Sequence, residues 1–357
     1  MSKIKVGIIG TGGISHVHMA GYKRLPDKAE VVALCDINEQ RMKDYSKQYN
    51  VPNCYLDFNE MLEKEKLDAV SVCTWNNAHA PATIAALNAG VDVLCEKPMA
   101  MNTAEAKLME KAAADNKKIL MIGFVRRYGN DTAIIKDFIN NDFMGDIYYA
   151  KATYLRRNGC PGGWFGDSKY SGGGPLIDLG VHVIDLARYL AGCPQPVSAY
   201  GVTFNNLGVN RASGGMTQFG YAADTSANIT FKHDVEDFAT ALVRFDSGFV
   251  LSVEASFNLN NKHDVGTIEL YGTKAGVKID PGLEFYTDMN GHFINMQPSG
   301  NSSLSFEGLF EGEVAHFVDC VIERKESWSP AKDGVAVMKI LDAIYESART
   351  GAEVKIV

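Results

Sequence analysis

Three groups of residues have side-chain types and spacings that could do chemistry. The first runs Gly172-Gly173-Gly174-Pro175-Leu176-Ile177-Asp178-Leu179-Gly180-Val181-His182-Val183-Ile184-Asp185. On a helix, Asp178, His182 and Asp185 stand at i, i+4 and i+7 and share one face. A histidine titrates near neutrality and can take a hydroxyl proton, and a neighbouring carboxylate orients it or raises its pKa. Leu179, Val183, Leu186 and Leu190 follow the core-facing rows. The glycines before Pro175 would let the chain approach a ligand closely, and Pro175 suits a first helical turn. The same spacing also describes an ordinary polar helix face, or an aspartate–histidine pair able to ligate zinc. No third strong ligand lies nearby in sequence, so no metal is expected.

The second group is Glu96-Lys97-Pro98. A partly desolvated lysine beside a positive ring has a lowered pKa and can relay a proton. The tripeptide is equally common on surfaces. The third is Gly10-Thr11-Gly12-Gly13-Ile14-Ser15. Gly10 can make a tight turn and Gly12 lets the backbone meet a pyrophosphate, whose charge the next helix N-terminus favours. Ser15 departs from the glycine or alanine usual at the sixth place, which would loosen helix–strand packing. Asp36 follows Ser15 by 21 residues, close to the spacing of about 20 expected for an acid that binds a ribose diol. A carboxylate there repels a 2′-phosphate, and Ile37-Asn38-Glu39-Gln40 offers no cation to offset it. The expected cofactor is NAD in preference to NADP.

These residues need elements to hold them. Apolar runs at Lys3–Gly10, Val31–Asp36, Ala69–Thr74, Val91–Glu96 and Ile119–Val125 read as strands buried on both faces of a parallel sheet. Helical stretches near 15–25, 38–49, 58–65, 80–89 and 103–116 alternate with them, which predicts an α/β doubly wound sheet. Ligands bind beyond the carboxyl ends of such strands, so Lys97 should face the cofactor crevice. Helices are expected at 131–141 and 175–191. Alternating segments Asp237–Phe245, Phe249–Phe257 and Gly266–Tyr271, split by turns such as Asp246-Ser247-Gly248, predict a largely antiparallel second sheet. Residues 205–226 read as a long loop, a feature often functional. Helices at 307–324 and 333–350 and a short strand at Val354–Val357 close the chain.

The 357 residues have an ordinary globular composition, 46% hydrophobic and 22% charged, which excludes disorder or a coiled coil as a whole-chain reading. The length favours two domains, cut at 1–124 and 125–357, with the C-terminal helix free to return to the first. The net charge of −8 makes nucleic acid an improbable partner. Residues 1–124 hold 15 basic and 15 acidic side chains; residues 125–357 hold 20 and 28. The acidity therefore sits in the second part, a preference for neutral polyols over sugar phosphates. No apolar run reaches the roughly 18–20 residues of a membrane span. The start leaves no room for a secretory signal, and the seven cysteines (35, 54, 73, 95, 160, 193 and 320) include no C-x-x-C. Buried reduced thiols and a cytoplasmic location are expected.

In this order the three motifs resemble the Gfo/Idh/MocA family, which includes glucose–fructose oxidoreductases and inositol dehydrogenases, over nearly the whole chain. Thr74-Trp75-Asn76-Asn77-Ala78-His79-Ala80-Pro81 through Glu96-Lys97-Pro98 is similar to the family's nicotinamide-side segment. Gly123-Phe124-Val125-Arg126-Arg127-Tyr128 is similar to its domain crossing, and Tyr345–Gly351 to its C-terminal helix. Trp75 stands where many members carry proline. The resemblance implies an N-terminal Rossmann domain and an α+β C-terminal domain with a large open-faced, mainly antiparallel sheet that builds homo-oligomers. It implies a catalytic trio of Lys97, Asp178 and His182. It places Gly10, Gly12, Gly13, Ile14, Asp36, Thr74, Asn76, His79 and Glu96 on the cofactor side, and Arg127 near the active site. Arg157, Asn158 and Trp164, in the loop Arg156–Phe165, are candidates for sugar hydroxyls and ring stacking. Tyr128 and Lys169 are weaker ones.

The expected reaction is oxidation of a secondary hydroxyl of a sugar, cyclitol or glycoside, with glycoside C3 one candidate. His182 would remove the hydroxyl proton, Lys97 would bond the same oxygen, and hydride would pass to NAD. An alternative is a redox-neutral glycosidase that oxidises C3 transiently and eliminates the aglycone. A sugar or NAD sensor that kept only the fold is the remaining one.

Overall fold

The computed structural model describes residues 3–208, 230–280, 282–299 and 306–357. From residue 209 on, the loop expected at 205–226 lies outside these. The chain forms two compact units.

The first unit comprises residues 3–125, 230 and 306–335 of the described chain. Its elements alternate: β1 Ile4–Ile9, α1 Ser15–Lys23, β2 Ala29–Cys35, α2 Glu39–Tyr49, β3 Asn53–Tyr55, α3 Phe58–Lys64, β4 Ala69–Val72, α4 Asn76–Asn88, β5 Asp92–Cys95, α5 Thr103–Asn116 and β6 Leu120–Ile122. The six strands are parallel in the order β3-β2-β1-β4-β5-β6. β4, β5 and β6 are buried throughout, as their unbroken apolar runs predict. Side-chain caps start three of these helices: Asn38 accepts the Arg41 N–H at α2, Asp57 that of Asn59 at α3, and Asn102 that of Glu105 at α5. β3 escapes the sequence pattern because it is three half-buried residues at the sheet edge. α4 begins at Asn76, earlier than the expected 80. Ala78 N–H bonds the Trp75 carbonyl at 2.9 Å, closing a turn ahead of Pro81.

α9, Phe306–Glu323, belongs to this unit although it follows strands β7–β14 of the second sheet in sequence. It lies against α1, where Gly21 has no room for a side chain: a Cβ there would sit 2.8 Å from Val314 Cβ. Arg24–Glu311 and Lys28–Asp319 pair across the same contact. Ile122 N–H then bonds the Ser329 carbonyl at 2.9 Å.

The second unit contains α6 Asn130–Asn140, β7 Ile147–Leu155, α7 Ser168–Ser171, a π turn at Leu176–Gly180, α8 Val181–Leu190, β8 Pro196–Phe204, β9 Phe238–Phe245, β10 Val250–Ser256, β11 Val265–Gly272, β12 Ala275–Ile279, β13 Glu284–Met289 and β14 His292–Met296. It also takes the end of α10, Ala331–Thr350, and β15, Val354–Lys355. Its nine strands order as β14-β13-β12-β11-β7-β10-β9-β8-β15. Only the central β7–β10 pair is parallel, so the sheet is mainly antiparallel. Buried residues alternate with half-buried or exposed ones along β9 and most of β10, which marks one covered face of the sheet. α8 and the π turn pack on β7 and β10. Ser347 of α10 accepts the Gly201 N–H of β8 at 3.0 Å. Among the described residues no helix is long and apolar enough to cross a membrane.

Candidate active site

In the first unit the glycine-rich turn has the shape its residues predict. Gly10 has φ of +92°, and a Cβ there would lie 2.5 Å from the Cys73 carbonyl oxygen. Only glycine accepts both constraints. Around Gly12 a Cβ would meet nothing within 4 Å, so the backbone is open on that side, and Gly13 is exposed. Ile14 is half-buried at the start of α1. Ser15 does not loosen this turn. Its Oγ donates to the Gly12 carbonyl at 2.6 Å, so the hydroxyl braces the loop.

Asp36 is buried at the end of β2 and ties the turn to the second strand. Its Oδ2 accepts the Thr11 N–H at 2.6 Å and the Thr11 hydroxyl at 2.9 Å, and its Oδ1 accepts the Asn38 N–H at 2.8 Å. Arg41 Nη2 donates to both oxygens, at 2.8 and 3.0 Å. This corrects the expectation that no cation stands near Asp36. The first turn of α2 carries residue 41 back over the strand end, one residue beyond the stretch that lacks a cation. The Arg41 side chain is 28% exposed, and that of Asp36 is 3% exposed. The open Gly12 backbone, the start of α1 and the buried carboxylate together fit the pyrophosphate and ribose of NAD.

Lys97 is half-buried just past β5, and the peptide bond to Pro98 is cis. Two buried residues hold this segment from behind. Glu96 Oε2 accepts the Lys97 N–H at 3.1 Å, and its Oε1 meets His18 Nε2 at 2.8 Å. His18 Nδ1 reaches Ser71 Oγ at 3.1 Å, which Tyr22 also meets, at 2.8 Å. Burial works against the Glu96 charge, but the His18 hydrogen bond and charge, with Lys97, hold its carboxyl below the ordinary value. Glu313 of α9 joins this cluster, its ligand-type atoms within 4.8 Å of those of His18 and Glu96. Residues 18, 96 and 313 are too far apart in sequence for any local pattern to group them. His79 is the second brace: Nδ1 lies 2.7 Å from the Pro98 carbonyl and Nε2 3.1 Å from the Thr74 carbonyl. A neutral ring donates to only one of these. Thr74 Oγ1 donates to the Trp75 carbonyl, and Asn76 is buried at the start of α4. Glu96 and His79 therefore sit behind the segment, bonded to protein groups.

In the second unit, Asp178 lies inside the π turn and is 8% exposed; His182 is half-buried at the start of α8. The expected single α-helix is thus interrupted, and the π turn changes the angular step between the two residues. π turns of this kind recur at functional sites. Asp185 is 1% exposed and takes a bidentate pair from Arg127, Nε to Oδ2 at 2.9 Å and Nη2 to Oδ1 at 2.6 Å.

Arg127, expected near the active site, has a fully buried side chain that pairs with Asp185 and lies over Tyr189 at 4.4 Å. Tyr128 is half-buried beside it in sequence. In the loop that follows β7, Trp164 stacks on Phe165 with centroids 3.9 Å apart. Arg157 is exposed, its N–H bonded to Asp264 and its guanidinium to the Lys262 carbonyl. Asn158 is exposed and bridges to Asn258, and Lys169 is exposed over Tyr170. The triple glycine also differs from expectation. A Cβ on Gly173 would lie 2.1 Å from Tyr345 Oη, and one on Gly174 2.3 Å from the Glu236 carbonyl oxygen. The close approach is to protein. Glu236, buried and bonded to this turn, was not legible in sequence, because an acid before a strand has no pattern of its own.

Residues 4–124 match the oxidoreductase family with an NAD-binding Rossmann fold, and residues 132–278 match the GFO/IDH/MocA C-terminal domain. Over 99% of its length the chain is 31% identical to D-glucoside 3-dehydrogenase of Escherichia coli (strain K12), covering 98% of that protein. It is 28% identical to levoglucosan dehydrogenase of Pseudarthrobacter phenanthrenivorans, over 98% of this chain and 97% of that one. The fold superposes on a solved levoglucosan dehydrogenase complex with NADH at a TM-score of 0.85 and 24% identity, covering all of both chains. The chain belongs to the GFO/IDH/MocA family. It is an oxidoreductase and its cofactor is NAD.

Two outcomes follow from the buried groups. Arg127→Ala removes the bidentate partner of the buried Asp185 carboxylate and should cost about 3–5 kcal/mol, whereas Arg127→Met with Asp185→Leu should recover most of it. Urea unfolding of both variants checks this; equal losses in the two would contradict it. Burial holds His79 below its ordinary value of 6.5, and it acts in the same direction on His16 and His316. The unfolded chain binds these protons first, so their contribution is full above about pH 6.5 and declines as pH falls through 6.5 towards the lowered folded values. Thermal melts over that range should show a falling Tm, with a shallower fall in His79→Gln.

Proposed function

We propose that this protein oxidises a secondary hydroxyl of a sugar or glycoside, with C3 of a glucoside the first position to test. Its chain-long similarity to D-glucoside 3-dehydrogenase carries this reading. The acidic balance of residues 125–357 agrees with a neutral substrate. Bound NAD supplies the hydride acceptor. The chain's own groups handle position and proton. An imidazole nitrogen of His182 takes the hydroxyl proton, and the Lys97 ammonium donates a hydrogen bond to the same oxygen as it becomes a carbonyl. Asp178 orients the substrate or His182. Glu96 and His79 keep Lys97 in place from behind.

Purified protein mixed with NAD and a panel of glucosides, free sugars and inositols should generate NADH absorbance, most rapidly with a glucoside. Lys97→Ala and His182→Ala should each lower turnover by about two orders of magnitude or more with NAD still bound. Near-wild-type turnover in both would sink the assignment, and aglycone release without NADH would replace it with the redox-neutral reaction. Self-association through the large sheet is the accompanying proposal. Tyr200 and Leu242 are cross-strand partners on that sheet, 48% and 45% exposed, an apolar pair that a second copy would cover. Light scattering should give a multiple of the chain mass, and Tyr200→Lys with Leu242→Lys should lower it; a monomeric wild type would end this proposal.

A further inference from the structure

Glu236 is 8% exposed and stands immediately before β9. Its carboxylate accepts three hydrogen bonds. Oε2 takes the Gly174 N–H at 2.9 Å, and Oε1 takes the Leu176 N–H at 3.1 Å and the Tyr345 hydroxyl at 2.9 Å. Pro175, between the two amides, has no N–H to offer. The two amide donors that open the π turn therefore converge on one side chain. A negative group suits this end of a helix, where amides point outward without intrahelical partners.

The chain is pressed onto this anchor. Gly172 turns with φ of +83°. At Gly173 and Gly174 any Cβ would collide with Tyr345 Oη and with Glu236 itself. Asp178 N–H then bonds the Gly174 carbonyl at 3.1 Å, so the residue gripped by Glu236 also starts the turn that carries Asp178. His182 follows in the next turn.

We propose that Glu236 is a positioning residue: its carboxylate, shared by the Gly174 and Leu176 amides and the Tyr345 hydroxyl, sets the π turn and through it the placement of Asp178 and His182. This rests on the reading of Asp178 and His182 as the groups that handle the substrate. An acceptor-only group is required. The amide of a glutamine at 236 would turn an N–H₂ toward one of three donors, leaving two donors face to face.

The test is Glu236→Gln, with Glu236→Asp and Tyr345→Phe beside it. Misplacing a reacting group by about 1 Å can cost on the order of 100-fold in rate. Glu236→Gln should lower kcat by about 30-fold or more, change KM by less than about threefold, and leave NAD affinity, read by fluorescence titration, as in wild type. Tyr345→Phe removes one of three donors and should lose about threefold. Glu236→Asp, which keeps the charge but shortens its reach, should fall between these and so mark partial rescue. A crystal structure of the Gln variant should show the 176–180 turn rearranged, with the Asp178 carboxylate moved by about 1 Å or more. An unmoved turn overturns the proposal whatever the rates. A moved turn with full turnover leaves Glu236 as the anchor and overturns the roles given to Asp178 and His182. If the Gln variant fails to fold, the Asp variant carries the same two measurements: wild-type kcat with an unmoved turn overturns the proposal.

Discussion

The contact on which the first unit depends is the approach of Gly10 to the Cys73 carbonyl. The strand order β3-β2-β1-β4-β5-β6 reverses between β1 and β4, and in open parallel sheets the ligand crevice forms at such a reversal. The chain leaving β1 must turn away there while remaining against β4. A side chain at position 10 would have no volume to occupy, and the turn would have to lift off the sheet. Because it does not lift, Thr11 comes within reach of Asp36, and one carboxylate binds the end of β2 to the turn after β1. The direction of α1, the open backbone at Gly12 and the height of the acid above the sheet all descend from that single contact.

Buried carboxylates do comparable work elsewhere. Asp36, Glu96, Asp185 and Glu236 are all nearly inaccessible, and each is met by backbone amides, a hydroxyl, a guanidinium or an imidazole. Desolvating a charge is costly, so each is stable only with several donors in place. That requirement makes them good rulers. A carboxylate served by two or three fixed donors has little freedom, and the segments that supply the donors inherit its position. Lys97, Asp178 and His182 all lie within a few residues of an amide held in this way. The residues expected to do chemistry are thus carried on backbone that is bonded to buried acids.

What could be read from sequence was what local pattern encodes. The parallel strands announce themselves as unbroken apolar runs, and the turn after β1 by glycines followed at the right distance by Asp36. β9, β10 and β11 alternate as half-buried strands should, and their observed limits differ from expectation by a residue or so. The failures have a common physical origin. The π turn at 176–180 arises from amides gripped by Glu236, sixty residues later in the chain. Arg127 is a cation whose burial depends on Asp185, 58 residues away, which no local pattern shows. Arg41 lies beyond the 37–40 stretch that follows Asp36, and helical geometry folds α2 back over that carboxylate. Lys97 and the Asp178–His182 pair stand out in sequence, but apart from Glu96 the groups bracing these segments, His18, His79 and Glu236, come from distant elements.

The membership of α9 bears on how the protein is made. The parallel sheet is complete once β6 has left the ribosome, yet the helix that lies along α1 is encoded after eight of the nine strands of the second sheet. Throughout that interval the face of α1 around Gly21 and the buried His18–Glu96 pair lack their cover, and Glu313 has not yet been synthesised. Domains usually mature in the order of translation. Here the first unit to begin waits for residues 306–335, so the face of α1 that α9 covers is open for most of the chain's elongation.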